Sequence, residues 1–127
     1  MKYILSSFIL LSFAIIITYT GCKDSVTGSD VDKVVIPDSN VSYSKYIQPV
    51  FNIKCANTGC HEDATRAGGI SLTTCSNTTA DPSIVFPGEP DNSKLIWSIT
   101  GIGNYPMPPP GYPGLTQNQI KGVRTWI

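Results

Sequence analysis

The amino-acid sequence predicts an all-α domain of three short helices joined by long irregular loops. Apolar residues recur at helical spacing in three places, each beside a capping or stop residue. The stretches between them show no periodicity. They hold Gly68-Gly69, threonine clusters between Thr65 and Pro87, and seven prolines between Val85 and Gly114. That much structureless backbone argues against a compact fold unless something besides side chains fills the core.

Residues 1–21 stand outside that domain. Lys2 precedes an almost uninterrupted apolar run from Tyr3 to Ile17, and Thr18-Tyr19-Thr20-Gly21-Cys22 follows. A basic start, an apolar stretch short for a membrane span and a small residue before a cysteine read as a lipoprotein export signal. Cleavage before Cys22 is expected, with lipid on its thiol supplying the membrane anchor. Tyr19 departs from the small aliphatic residue preferred three positions ahead of the cysteine; a plain secretory signal or an uncleaved anchor is the alternative. All of these put the protein outside the cytoplasm, in the periplasm or as a lipoprotein of the outer membrane or cell surface.

Residues 22–41 are polar and rich in Ser and Asp, and read as a flexible tether ahead of a domain over 42–127. A short packed strand over VDKVVIP is the other reading. Basic and acidic side chains balance at nine each, and removal of Lys2 with the leader leaves one acid in excess. With no basic run, nucleic acid is excluded as a partner.

The first helix begins near Ser42 or Ser44 and carries Tyr43, Tyr46, Ile47, Val50 and Phe51 as one apolar stripe. Pro49 lies inside this pattern, where it is tolerated in a first turn and otherwise kinks the helix. The second follows Pro90-Asp91, turns Leu95, Ile96 and Ile99 inward, and stops at Gly101. The third opens on the capping box Thr116…Gln119 and buries Ile120, Val123, Ile127 and the neighbouring Trp126. Gly122 weakens that helix but would let another helix cross closely.

The chemistry is concentrated in CANTGCH, Cys55 to His61, which holds the only histidine of the chain. Two thiols can add across the vinyl groups of a haem while an adjacent imidazole reaches the iron, giving one covalent haem c per chain. The usual signature has two residues between the cysteines, and here there are four. Haem attachment across this gap requires residues 56–59 to loop outward, with Gly59 supplying a positive φ and Asn57 bracing the turn. The rival readings are a Cys55–Cys60 disulfide and a zinc site of Cys55, Cys60, His61 and Cys75. Met107 is the only methionine besides Met1, and its thioether is a suitable second axial ligand. Pro106, Pro108, Pro109 and Pro110 would hold that ligand with little reorganisation. Cys75 is left without a partner and is expected to be buried and unpaired, as a small apolar filler.

The segments YSKYIQPVFNIKC, VFPGEPDNSKLIWSI, YPMPPPG and LTQNQIKGVRTWI, taken with the cysteine run, resemble the small class I-like c-type cytochrome domains of exported and lipid-anchored bacterial proteins. The likeness spans roughly residues 43–127 and matches the family's middle segment through Pro87, Gly88, Pro90, Ser93 and Leu95. It implies crossed terminal helices and loops wrapped round the haem, which replaces side-chain core. It also implies thioethers at Cys55 and Cys60, with His61 as proximal and Met107 as distal iron ligand. The wider cysteine gap and the extra Cys75 depart from the family pattern.

The function that follows is single-electron transfer, with redox proteins at the membrane or in the periplasm as partners. No second histidine is available for peroxide chemistry, and no residue is assigned a catalytic role; Tyr105, Tyr112 and Trp97 are expected to pack in the core or against the haem. A haem-free, disulfide-stapled lipoprotein binding module is the alternative from another class. A haem module within a larger redox or sensory complex is a third reading.

Overall fold

A computed structural model of the chain describes residues 27–127. The expected leader and Cys22 lie outside the described residues. Among those described, every regular element is helical and no strand forms, in keeping with the all-α expectation. No helix among them is long and apolar enough to cross a membrane.

The chain enters through α1, Gly28–Lys33. A π-helical turn over Tyr43–Ile47 then runs directly into α2, Gln48–Lys54. After a long loop come the single turn α3, Cys75–Thr78, and α4, Lys94–Thr100; α5, Gln117–Trp126, closes the fold. Short 3₁₀ turns at Ala67–Gly69 and Pro90–Asn92 punctuate the loops.

Pro49 explains the shape of the first helical segment. Its ring removes one N–H from the hydrogen-bond ladder and clashes with the turn behind it. The chain answers with a wider turn ahead of the proline, which leaves Pro49 in the first turn of α2. Ser42 caps the segment, accepting from Lys45 N at 3.4 Å. Ile47 and Phe51 are fully enclosed and Val50 nearly so, so the apolar stripe survives the change of pitch.

The helix α5 lies against α4 and against the Tyr43–Ile47 turn. The Tyr43 ring meets Trp126 at 4.8 Å between centroids and Phe51 edge-on at 6.2 Å. Burial raises the Tyr43 hydroxyl pKa to about 12, and Thr78 Oγ1 partners it at 2.7 Å. The capping box of α5 forms as expected: Thr116 Oγ1 accepts from Gln119 N, and Gln119 Oε1 accepts from Thr116 N. Gly101 ends α4 at φ 74°. Ser93, which is fully buried, ties the loop ahead of α4 by accepting from Phe86 N and donating to Glu89 O.

The expected tether is corrected over residues 28–36. Val31 and Ile36 are each 3% exposed and belong to the main core. This stretch forms a helical turn and an extended strap, neither a strand nor a free linker. The signal was present in the sequence as Thr27-x-x-Asp30, an entry signature for a helix, and Thr27 N donates to Asp30 Oδ2 at 3.2 Å. Ile36 is clamped through its backbone, because Asn118 accepts from Ile36 N at 2.9 Å and donates to Ile36 O at 3.2 Å.

Gly122 makes room for this strap and not for a second helix. An added Cβ would stand 2.7 Å from Ile36 Cγ2 and 2.8 Å from Cδ1. Alanine would gain about 1 kcal/mol of helix propensity, but overpacking costs about 1–3 kcal/mol. Gly122→Ala should therefore lower stability in urea denaturation. Combined with Ile36→Ala, the same change should become stabilising relative to Ile36→Ala alone.

Candidate functional site

The cysteine run starts where α2 ends. Cys55 is the C-terminal cap of α2, its N–H bonded to Phe51 O at 2.9 Å, and the chain turns away through Ala56. Asn57, Thr58 and Gly59 are exposed, so the residues between the two thiols loop outward. Gly59 holds φ 83°, a left-handed conformation that costs a residue without Cβ nothing. Asn57 Nδ2 reaches back to Ile53 O at 3.0 Å, Asn57 O accepts from Cys60 N at 2.9 Å, and Glu62 Oε1 accepts from Gly59 N. The loop closes on itself when His61 N donates to Cys55 O at 3.1 Å. Four intervening residues are thus compatible with a tight return of the second thiol towards the first.

His61 is held by backbone on both sides. Its carbonyl accepts from Leu72 N at 2.9 Å, and its Nδ1 lies 3.4 Å from Ile70 O. With the proton on Nδ1 and directed at that carbonyl, the Nε2 lone pair is left free for a metal, the arrangement found for ligating imidazoles. Asp63 braces the loop behind His61 by accepting from Ser71 Oγ, Thr73 Oγ1 and Asn77 Nδ2. These bonds, led by that from Ser71, hold its carboxyl below the usual range.

Met107 comes from the proline-rich loop after α4. Its N–H donates to Ser98 O at 2.9 Å, which fixes the proline-rich loop to α4. His61 and Met107 both line a cavity of about 420 Å³, walled by Ile70, Leu72, Ile84, Leu95 and Ile99 and also lined by Cys55. A second space of about 140 Å³ adds Cys60, Pro108, Pro109 and Tyr112, and shares Cys55, His61, Ile99 and Met107 with the first. All four expected site residues therefore face one continuous, mainly apolar recess of ligand size. Burial pushes the Cys55 thiol up to about 12.

Several expectations on neighbouring residues are corrected. Cys75 is exposed at the start of α3 and lines neither space. It sits on a single helical turn at the surface, where nothing covers it. Cys55, Cys60 and Cys75 are all free thiols, and no three potential metal-binding side chains among the described residues converge on one point, so the zinc arrangement does not form. Of the two places expected for Tyr105 and Tyr112 only the core is ruled out: they are 78% and 61% exposed, and they line the recess. Trp97 is partly exposed and donates its indole N–H to Asp91 O.

Sequence reasoning missed Lys54. It ends α2, and its ammonium is buried beside the recess; no periodic signal distinguishes such a lysine from a solvated one. The wall residues Ile70, Leu72 and Ile84 were equally invisible, since they come from irregular chain and belong to no repeat.

The all-α architecture thus frames a recess lined by one imidazole, one thioether and two thiols. Residues 58–111 match the family model described as PSCyt1, Planctomycete cytochrome C. That stretch takes in Cys60, His61 and Met107 and begins after Cys55. No curated protein and no solved structure matches the chain.

Proposed function

We propose that this protein is a monohaem c-type cytochrome that carries single electrons outside the cytoplasm, held at a membrane by lipid on Cys22. The observation that supports the reading is the recess itself: a mainly apolar space lined by His61 and Met107 together with Cys55 and, in its second part, Cys60. A flat, largely apolar macrocycle with a metal at its centre suits both the apolar walls and the donor set. The bound haem would supply reversible one-electron chemistry at iron.

The chain's own part is to hold and shield. Cys55 and Cys60 would form thioethers, each sulfur adding to one vinyl carbon while its proton goes to the other. His61 would present Nε2, with Nδ1–H kept on Ile70 O. Met107, pinned through Ser98, would offer its thioether as a second protein ligand to the iron, held with little reorganisation. The apolar wall would keep water from the metal, and Tyr105 and Tyr112 leave the rim accessible to redox partners.

The test is direct. Protein from a host that matures c-type cytochromes should be red, show a sharp alpha band on reduction, and exceed the chain mass by one covalent haem. A colourless product from such a host overturns the reading. The thiol loop adds a finer prediction. Gly59→Val should reduce the fraction of chains carrying haem, because a β-branched residue at φ 83° is strained even though nothing lies within 4 Å of the new Cβ. Thr58→Ala should leave that fraction unchanged.

A further inference from the structure

Lys54 stands immediately before Cys55, and its side chain is only 2% exposed. Its ammonium has three partners: Gly114 O at 2.7 Å, Gln119 Oε1 at 3.1 Å and Asp32 Oδ1 at 2.7 Å. These come from three different parts of the fold. Gly114 ends the loop that began at Met107, Gln119 lies in the first turn of α5, and Asp32 belongs to the strap that enters from the N-terminal side. Gln119 completes the circuit by donating to Val31 O and Asp32 Oδ1. Lys54 also lines the part of the recess that holds Cys60 and Pro108.

Building on the cytochrome reading, we propose that Lys54 is a positioning residue for the Met107 ligand, and that Asp32 of the N-terminal strap holds Lys54 in that role. The loop from Met107 to Gly114 has few internal supports of its own; Tyr112 N to Pro109 O is its one backbone bond. It is pinned at two points, Met107 N on Ser98 O and Gly114 O on Lys54 Nζ. Four of the six residues between them are proline, so the segment behaves as a semi-rigid strut that transmits the position of its far end. Lys54 joins that far end to the helix that delivers Cys55. The proximal and distal sides of the site are therefore set by one ammonium.

A buried ammonium is stable here only because a carboxylate and two amide oxygens surround it. Removal of Asp32 would leave the charge with amide partners alone and loosen its hold on Gly114. The strap leads towards the expected lipid anchor, so the coordination of the distal ligand would depend on whether the anchoring segment is seated.

The test compares the matured parent with Lys54→Met and Asp32→Asn. Each variant should keep its covalent haem and alpha band, since neither residue attaches the ring. Lys54→Met should weaken the far-red charge-transfer band of the methionine–iron(III) bond and lower the midpoint potential. It should also raise carbon monoxide binding by at least about tenfold, the factor that follows from loss of one charge-assisted hydrogen bond. Amide exchange at Gly111, Tyr112 and Gly114 should quicken in the same variant. Asp32→Asn should move each readout the same way by less, and it carries the test alone if Lys54→Met does not mature. A lower melting temperature with unchanged band, potential and ligand binding in both variants would make Lys54 merely structural and overturn the proposal, leaving the cytochrome reading intact. A colourless parent would overturn both.

Discussion

His61→Ala is expected to yield a colourless chain from a host that matures c-type cytochromes, with a mass showing no added haem. The imidazole is the only one in the protein, so no other side chain can take its place at the iron. Its backbone bonds to Cys55 O and from Leu72 N set it between the two thiols and the apolar wall. Loss of the ring leaves the thiols near the recess but removes the group that would seat the macrocycle against them. Positioning of this kind is worth many orders of magnitude in an addition reaction. The variant should also unfold at a lower urea concentration than the parent, because Ile70, Leu72, Ile84, Leu95 and Ile99 would then line a space with nothing to cover them. Full haem content in His61→Ala would remove His61 from the site.

Met107→Ala should produce the opposite kind of product: a red protein, of unchanged haem content, with altered iron. On the proposed reading the haem is attached through Cys55 and Cys60 and not through Met107, so attachment should persist. As an iron ligand the Met107 thioether would favour the reduced metal, and axial ligands command a span of roughly 0.8 V in haem proteins. Its removal should lower the midpoint potential by a sizeable part of that span and let carbon monoxide bind, where the parent resists it. Redox titration and ligand titration read the two effects separately. Unchanged values in both would assign the sixth position to another group.

Much of the helical framework was legible along the chain because helices are local. The spacing of Tyr43, Ile47, Val50 and Phe51, the box Thr116…Gln119 and the stop at Gly101 each depend on residues within a few positions, and the described structure forms each of them. The pitch change at Pro49 was half legible: the missing N–H announced a disturbance, but the wider turn that absorbs it depends on what Ile47 and Val50 must reach. The segment over 28–36 was misread because Val31 and Ile36 show no period. The seating of Ile36 depends on a glycine 86 residues away, Gly122, whose bare backbone admits it.

The candidate site divides in the same way. The sequence by itself determined its chemistry: the thiols of Cys55 and Cys60, the adjacent imidazole of His61, the single late methionine, and a glycine at position 59 able to turn the chain between the thiols. Those are matters of residue type and near-neighbour order. Only the tertiary structure decided that Met107 and His61 line the same apolar recess, that irregular chain supplies Ile70, Leu72 and Ile84 to its wall, and that Cys75 stays outside it. It also decided that Lys54 is buried among Asp32, Gly114 and Gln119. The physical reason is range. Backbone hydrogen bonding and side-chain spacing act over one or two turns, whereas a recess and a buried charge exist only once segments distant in sequence have excluded water together.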